Sequence, residues 1–277
     1  MNSFEFNLIN PFQNYNNMKP TGEKFKIIIR VMKLFRNWWL YPIVYLKLTK
    51  KSTVIFETKE GIKILIRVNS TDLMALTHVW LIEEYSKHDF RIEKTDTVID
   101  VGAHIGLFSL HTSQICKEGK IYAFEPMKKN FDILKSNIQL NNFLNIKAEN
   151  YAISNSSSKI IIYENSDESG HSKFIETNNP IEVTSKSLND IFDNEKIKKC
   201  NLLKLDCEGS EYEIIDSLKD ENFEKIEKMI IEYHLADSNP ELLENLKNKL
   251  KNKLYKISIE PLFHDIGFLY AIKKNKA

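Results

Sequence analysis

The chain is poor in cysteine: Cys116, Cys200 and Cys207 are all that its 277 residues provide. An odd number with no C-x-x-C pair, set in apolar or strand-like surroundings, excludes a disulfide framework and a zinc ribbon and fits a reducing, cytoplasmic compartment. An excess of either charge is missing too. With 39 Lys and Arg against 38 Asp and Glu, the net charge is +1, so no nucleic acid is expected as a partner and the overall charge gives no reason to expect an anionic membrane, local patches apart. Nor is there an apolar run able to cross a bilayer: residues 38–48 (WWLYPIVYLKL) fall far short of the roughly 20 required and contain Pro42 and Lys47. The opening MNSFEFNLINPFQNYNN lacks a basic start and an apolar core, so no secretory signal is expected. What remains, 42% apolar and 28% charged, describes a globular chain of one large domain or two small ones.

The first twenty residues, rich in Asn and broken by Pro11 and Pro20, follow neither helix nor strand period and read as a loose arm. Over 24–35, apolar residues recur at helical spacing among Lys and Arg, predicting a helix that leads into Trp38-Trp39 and is kinked or ended by Pro42. Two β-branched runs, 54–58 and 62–68, flank Lys59-Glu60-Gly61 and predict a hairpin. After the cap-rich Asn69-Ser70-Thr71-Asp72, Leu73, Leu76, Trp80 and Leu81 predict a helix over 73–85.

From Thr97 onward strand-like and helix-like segments alternate, the pattern of an open α/β, Rossmann-like sheet of mainly parallel strands. Strands are expected at 97–101, 120–124, 145–150, 201–205, 228–232, 255–259 and 268–272, the last two forming an antiparallel C-terminal hairpin. Leu243, Leu246, Leu250 and Leu254 predict an apolar stripe on a helix over 240–254. The expected organisation is an extension over 1–90 (arm, helix, β-hairpin, helix) followed by an α/β domain over 91–277.

Strand 97–101 (TVIDV) runs directly into Gly102-Ala103-His104-Ile105-Gly106 and an apolar helix. Glycines belong where backbone turns sharply beside a ligand, and a helix N-terminus offers free N–H groups. The next strand ends in Phe124-Glu125-Pro126, which puts a carboxylate where it can reach the ribose hydroxyls of a nucleoside. A dinucleotide needs glycine two positions after the first glycine of the turn, and here His104 would crowd the pyrophosphate. S-adenosylmethionine has no phosphate and accepts the looser turn, with Asp100 ordering the loop or meeting the amine.

These residues are similar to the FkbM type of class I S-adenosylmethionine-dependent methyltransferase. The resemblance covers about 64–272 and rests on VIDVGAHIGLFSL (98–110), YAFEP (122–126), NYAIS (150–154), LLKLDCEGSEYEII (202–215) and IIEYH (230–234). It implies a cofactor pocket of Asp100, Gly102, Gly106 and Glu125, joined by Ala103, His104 and Pro126, with Asn150 and Ala152 near the adenine. One departure is His104, where the family usually has Asn.

Two further strands end in polar residues: Asp206-Cys207-Glu208-Gly209 follows 201–205, and Tyr233-His234 follows Glu232. Beyond the carboxyl ends of a parallel sheet, Asp206, Glu232 and His234 are expected to converge as the catalytic group. Methyl transfer to a hydroxyl requires an oriented acceptor that loses its proton, a task for His234 or Asp206; the same three side chains could instead hold Mg²⁺ or another divalent cation. Glu208, His171 and Ser172 are candidates for acceptor contacts, and Glu208 equally for a helix cap. Cys207 reads as a small buried residue.

The expected activity is O-methylation of a sugar, polysaccharide, glycolipid or other small-molecule hydroxyl. The alternatives are N-methylation and a non-catalytic membrane- or partner-binding protein on the same fold. No transmembrane segment is expected; peripheral membrane contact through residues 38–48, or a homodimer contact there, is compatible with the sequence.

Overall fold

The computed structural model describes residues 22–85, 90–163 and 179–274, the side chains of 22–24 and 263 excepted. At its centre is a seven-stranded sheet built from β3 (Thr97–Val101), β4 (Lys120–Phe124), β5 (Ile146–Glu149), β9 (Cys200–Leu205), β10 (Ile226–Tyr233), β11 (Tyr255–Phe263) and β12 (Ile266–Lys273). The spatial order is β11-β12-β10-β9-β3-β4-β5. Strands β3, β4, β5, β9 and β10 run parallel, and β12 is antiparallel to both its neighbours. This is the expected Rossmann-like sheet with its antiparallel C-terminal hairpin. Connections leave β3 toward β4 on one side and return to β9 on the other, so the sheet reverses its winding beside β3 and opens a crevice at the strands' carboxyl ends.

Alternation along the strands divides the core. Ile99, Val101, Leu203, Leu205, Met229 and Ile231 join one apolar cluster with Ile214, Ile215, Leu246 and Leu250. Val98, Leu202 and Ile230 turn to the other face, against Phe108, Leu134 and Phe268. The helices supplying these residues are α4 (Leu107–Ile115), α5 (Lys128–Asn141), α7 (Glu211–Ser217) and α9 (Pro240–Asn252); α6 (Leu188–Asn194) and α8 (Asp220–Phe223) complete the connections. Because α9 stops at Asn252, Leu254 leaves the predicted stripe and is 46% exposed.

The N-terminal elements are α1 (Gly22–Leu34), α2 (Leu40–Tyr45), the hairpin β1 (Thr53–Glu57) and β2 (Lys63–Arg67), and α3 (Asp72–Leu76), which continues into a π-helical turn over Thr77–Ile82. Pro42 neither kinks nor ends a helix. It lies in the first turn of α2, where its missing N–H has no partner to lose. The single helix expected over 73–85 is instead α3 plus the π-helical turn, closed by Glu83 at φ +57°. These elements share a core with α4: Phe35, Phe56, Ile64, Ile66 and Trp80 pack with Ile105, Leu107 and Leu110. Trp80 Nε1 donates to Leu107 O at 3.1 Å.

Among the described residues strand β2 pairs with β1 along one edge only. Along its other edge the side chain of Asn141 accepts from Lys63 N (2.8 Å) and donates to Lys63 O (2.7 Å). Asn137 repeats the exchange with Leu65, at 2.7 and 3.1 Å. Arg67 N donates to Asp72 (2.8 Å), and Ser70 Oγ donates to Arg67 O (3.1 Å).

A third sheet, in the order β6-β8-β7, is made of β6 (Ala152–Ser154), β7 (Ser158–Tyr163) and β8 (Pro180–Ser187). It was not expected from the sequence. Among the described residues no helix is long and apolar enough to cross a membrane, and the three cysteines are free.

Candidate active site

A cleft of about 520 Å³ opens at the carboxyl ends of β3, β4, β9 and β10. Its floor begins with the glycine turn. Gly102 has φ +74°, and a Cβ there would come 1.7 Å from the backbone oxygen of Asp206, so the turn after β3 and the turn after β9 touch only because this residue is glycine. Gly106, at φ +87°, would place a Cβ 2.3 Å from Leu134. The N–H groups of Gly102 and Ala103 both donate to Phe124 O at 3.0 Å, tying the turn to β4.

Asp100 is fully buried and does not line the cleft. One of its oxygens accepts from Ser109 Oγ at 2.7 Å, and the other lies 3.2 Å from Lys204 Nζ. It therefore locks the first turns of α4 to β9 rather than meeting a ligand directly.

Glu125 does line the cleft, and its oxygens accept from His104 N (2.8 Å) and Met127 N (2.9 Å). Burial pushes its carboxyl up to about 7, the N–H donors opposing that rise. Asn150 stands behind it: its amide donates to the carbonyls of Glu125 and Pro126, both at 2.9 Å, and it is not among the lining residues. Asn150, expected near the adenine, braces the acidic turn from behind. Pro126 and Ala152 line the cleft beside Phe124, Met127, Ile153 and Ile162.

His104 adopts φ +51°, a left-handed conformation in which Asn and His are over-represented. Its Nε2 is 3.5 Å from Asp72 and 3.4 Å from Arg67, whose guanidinium also reaches Asp72 and Asn130. The position that departs from the expected pattern thus links the glycine turn to the N-terminal elements.

Opposite, the polar strand ends converge as expected. Ligand atoms of Asp206, Glu232 and His234 all lie within 4.8 Å of one another. His234 is held at both ends: Nδ1 is 3.0 Å from Glu211 Oε1 and Nε2 is 3.4 Å from Glu208 Oε2. Burial alone would lower its pKa, but Glu208 and Glu211 together carry it well above the usual imidazole value. Glu232 moves the same way for another reason: burial, followed by repulsion from Asp206, raises its carboxyl well above the ordinary range, with His234 opposing. Tyr85, which lines the cleft, donates to Glu232 Oε2 at 3.3 Å. Glu208 lines the cleft at φ +51°. His171 and Ser172 lie outside the described residues.

Two residues escaped the sequence reading. Lys204 is 3% exposed within an apolar strand, an anomaly that marks it in LLKL. Burial opposes its charge, yet Asp100 and Asp206, with Nζ at 3.2 and 3.4 Å, raise its pKa above that of a free lysine. The second, Glu211, opens α7. One of its oxygens accepts from Gly209 N at 2.9 Å, and the other takes both the backbone N–H and Nδ1 of His234. Twenty-three positions separate Glu211 from His234, and nothing in sequence spacing announces a contact between the first turn of α7 and the end of β10.

Comparison with known proteins bears on the family of the chain. Residues 100–257 match the model of the methyltransferase FkbM domain. A protein described as methyltransferase 1 of Beauveria bassiana (strain ARSEF 2860) is 26% identical over 185 residues, covering 59% of this chain and 73% of its own. Methyltransferase sdnD of Sordaria araneosa is 26% identical over 168 residues; the match spans 49% of this chain and 65% of that protein. Among solved structures, the fibrillarin pre-rRNA processing protein of Methanococcus jannaschii superposes with a TM-score of 0.46 at 13% identity, covering 82% of this chain and 86% of that one. With more than half its length matched by that one domain model, the chain belongs to the FkbM methyltransferase family.

Proposed function

We propose that the protein transfers a methyl group from S-adenosylmethionine to a hydroxyl of a sugar, glycolipid or other small-molecule acceptor. The observation that carries this reading is His234, a buried imidazole held by Glu211 at Nδ1, with Nε2 turned toward the polar end of a nucleoside-sized cleft. The cleft suits the cofactor: Glu125 offers lone pairs to ribose hydroxyls, and Met127, Ala152 and Ile162 offer an apolar wall to a base. S-adenosylmethionine would supply an electrophilic methyl on a sulfonium centre.

The remaining work falls to the protein. Glu232, whose protonated form burial and the Asp206 charge favour, donates a hydrogen bond that orients the acceptor, and Tyr85 fixes its carboxyl. His234 in its neutral form takes the acceptor's proton, and Glu208 and Glu211 stabilise the imidazolium that results. Lys204 balances Asp206. A base at this position favours a hydroxyl over an amine, because a neutral amine can attack before losing a proton.

Asp206, Glu232 and His234 also suit a divalent cation, since two carboxylates and an imidazole fixed at its other nitrogen form an acceptable donor set. Such an ion would acidify the acceptor hydroxyl. Calorimetric titration with S-adenosylmethionine and, separately, NAD, with and without Mg²⁺, tests both readings. Saturable binding of S-adenosylmethionine alone supports the assignment, and absence of binding overturns it. His234→Gln should retain cofactor binding while turnover on an identified acceptor falls by about 100-fold or more. Dependence of that turnover on Mg²⁺ after chelation would favour the cation.

A further inference from the structure

The chain as a whole is nearly neutral, but residues 24–56 contain eight Lys and Arg and no Asp or Glu, leaving a net charge of −7 on everything else. This acid-free run forms α1, α2 and the start of the hairpin, and among the described residues it carries the greater part of the exposed large apolar side chains. On α1, Phe25, Ile29 and Met32 lie at i, i+4 and i+7, a stripe separate from the buried Ile27 and Val31. Around α2, Trp39 is 52% exposed, Leu46 59% and Leu48 70%, with Trp38 and Tyr45 also open to solvent. Lys26, Lys33, Lys47, Lys50 and Lys51 are exposed among them.

We propose that this face docks on an anionic membrane surface, with Trp38, Trp39, Leu46 and Leu48 entering the headgroup region and the lysines meeting lipid phosphates. Charge complementarity selects the partner. Two copies of the chain placed face to face would bring two strongly cationic surfaces together, which opposes self-association. A nucleic acid backbone would satisfy the lysines but leave aliphatic side chains such as Leu46 and Leu48 in water, whereas a bilayer interface receives both and favours tryptophan at its boundary. The docking face also joins the cleft. Arg30 donates to Leu81 O, Tyr41 Oη lies 2.7 Å from Thr77 Oγ1, and the π-helical turn those contacts grip contributes His78 and Val79 to the cleft lining.

The test is flotation of the full chain with phosphatidylglycerol vesicles and with phosphatidylcholine vesicles, at low and high salt, alongside tryptophan fluorescence. Of the three tryptophans, Trp80 is 5% exposed, so a lipid-induced blue shift reports on Trp38 and Trp39. Binding to the anionic vesicles that weakens in high salt is expected. Changing Lys47, Lys50 and Lys51 to Gln should weaken it about 100-fold. Trp38→Ala with Trp39→Ala should weaken it at least tenfold and abolish the blue shift. Leu46→Ser with Leu48→Ser, further into the exposed segment, provides a second apolar variant should the tryptophan pair fail to fold. Equal binding to both vesicle types, no binding at low salt, or a dimer in light scattering that the tryptophan changes dissolve would each overturn the proposal, the last by showing that a second copy covers the face.

Discussion

Glu125 is buried, yet two N–H groups point at it, and the opposition sets its carboxyl at about 7. A ribose hydroxyl donates more readily to a carboxylate than to a carboxylic acid. Affinity for S-adenosylmethionine should therefore rise about tenfold between pH 6 and pH 8, and calorimetry on Glu125→Gln should show a weaker and flatter profile. The sign for folding is the reverse: the unfolded chain releases this proton at lower pH, so the contribution of Glu125 to stability falls as pH climbs through about 7. His234 gives a second residue-scale prediction. Its carboxylate neighbours favour the imidazolium against the effect of burial, so turnover should rise with pH as the neutral base forms. Glu211→Gln removes one of them and should move that limb of the pH–rate profile to lower pH, a displacement that a merely structural Glu211 would not produce.

At the scale of elements, Trp80 joins the π-helical turn to α4 through one indole hydrogen bond. Trp80→Phe should lower stability by about 1–3 kcal/mol in urea unfolding, since Leu107 O loses its side-chain donor and the smaller ring leaves space. The central sheet was readable because its parallel strands, the short β5 (IKAE) excepted, carry an apolar run ending in a turn signal or polar cluster. The third sheet was harder to read. Ser158–Tyr163 carries three consecutive isoleucines, but its partner Pro180–Ser187 alternates weakly and lies well downstream. Helix 73–85 failed for a different reason: its apolar spacing was real, but the extra residue per turn in Thr77–Ile82 and the left-handed Glu83 leave no mark in hydrophobic periodicity. Among site residues, strand ends announced Asp206, Glu232 and His234, whereas Glu211 became visible only when strands brought its partner alongside.

For the whole molecule, the N-terminal elements are a wall of the site and part of the core. Met74, His78 and Tyr85 line the cleft, and Ile105, Leu107 and Leu110 of the sheet-bearing part are buried against Phe56, Ile64 and Trp80. Expression of 91–277 alone should give an aggregated product, detectable by gel filtration, because it would expose that apolar surface.

The side-chain pairing along β2 has a consequence for how copies of this protein behave toward each other. A two-stranded hairpin ordinarily presents open backbone that can recruit a strand from a neighbour, the first step toward a fibre. Here the helix four-residue repeat of Asn137 and Asn141 matches the two-residue repeat of Leu65 and Lys63, so their amides imitate the missing strand. Replacing both with Leu would remove the imitation without adding charge, and light scattering should then report assemblies growing by strand addition. The same two asparagines also tie α5 to its surroundings, Asn137 donating to Ile105 O in the glycine turn at 3.0 Å, so one short run of amides closes a strand edge and anchors the floor of the cleft.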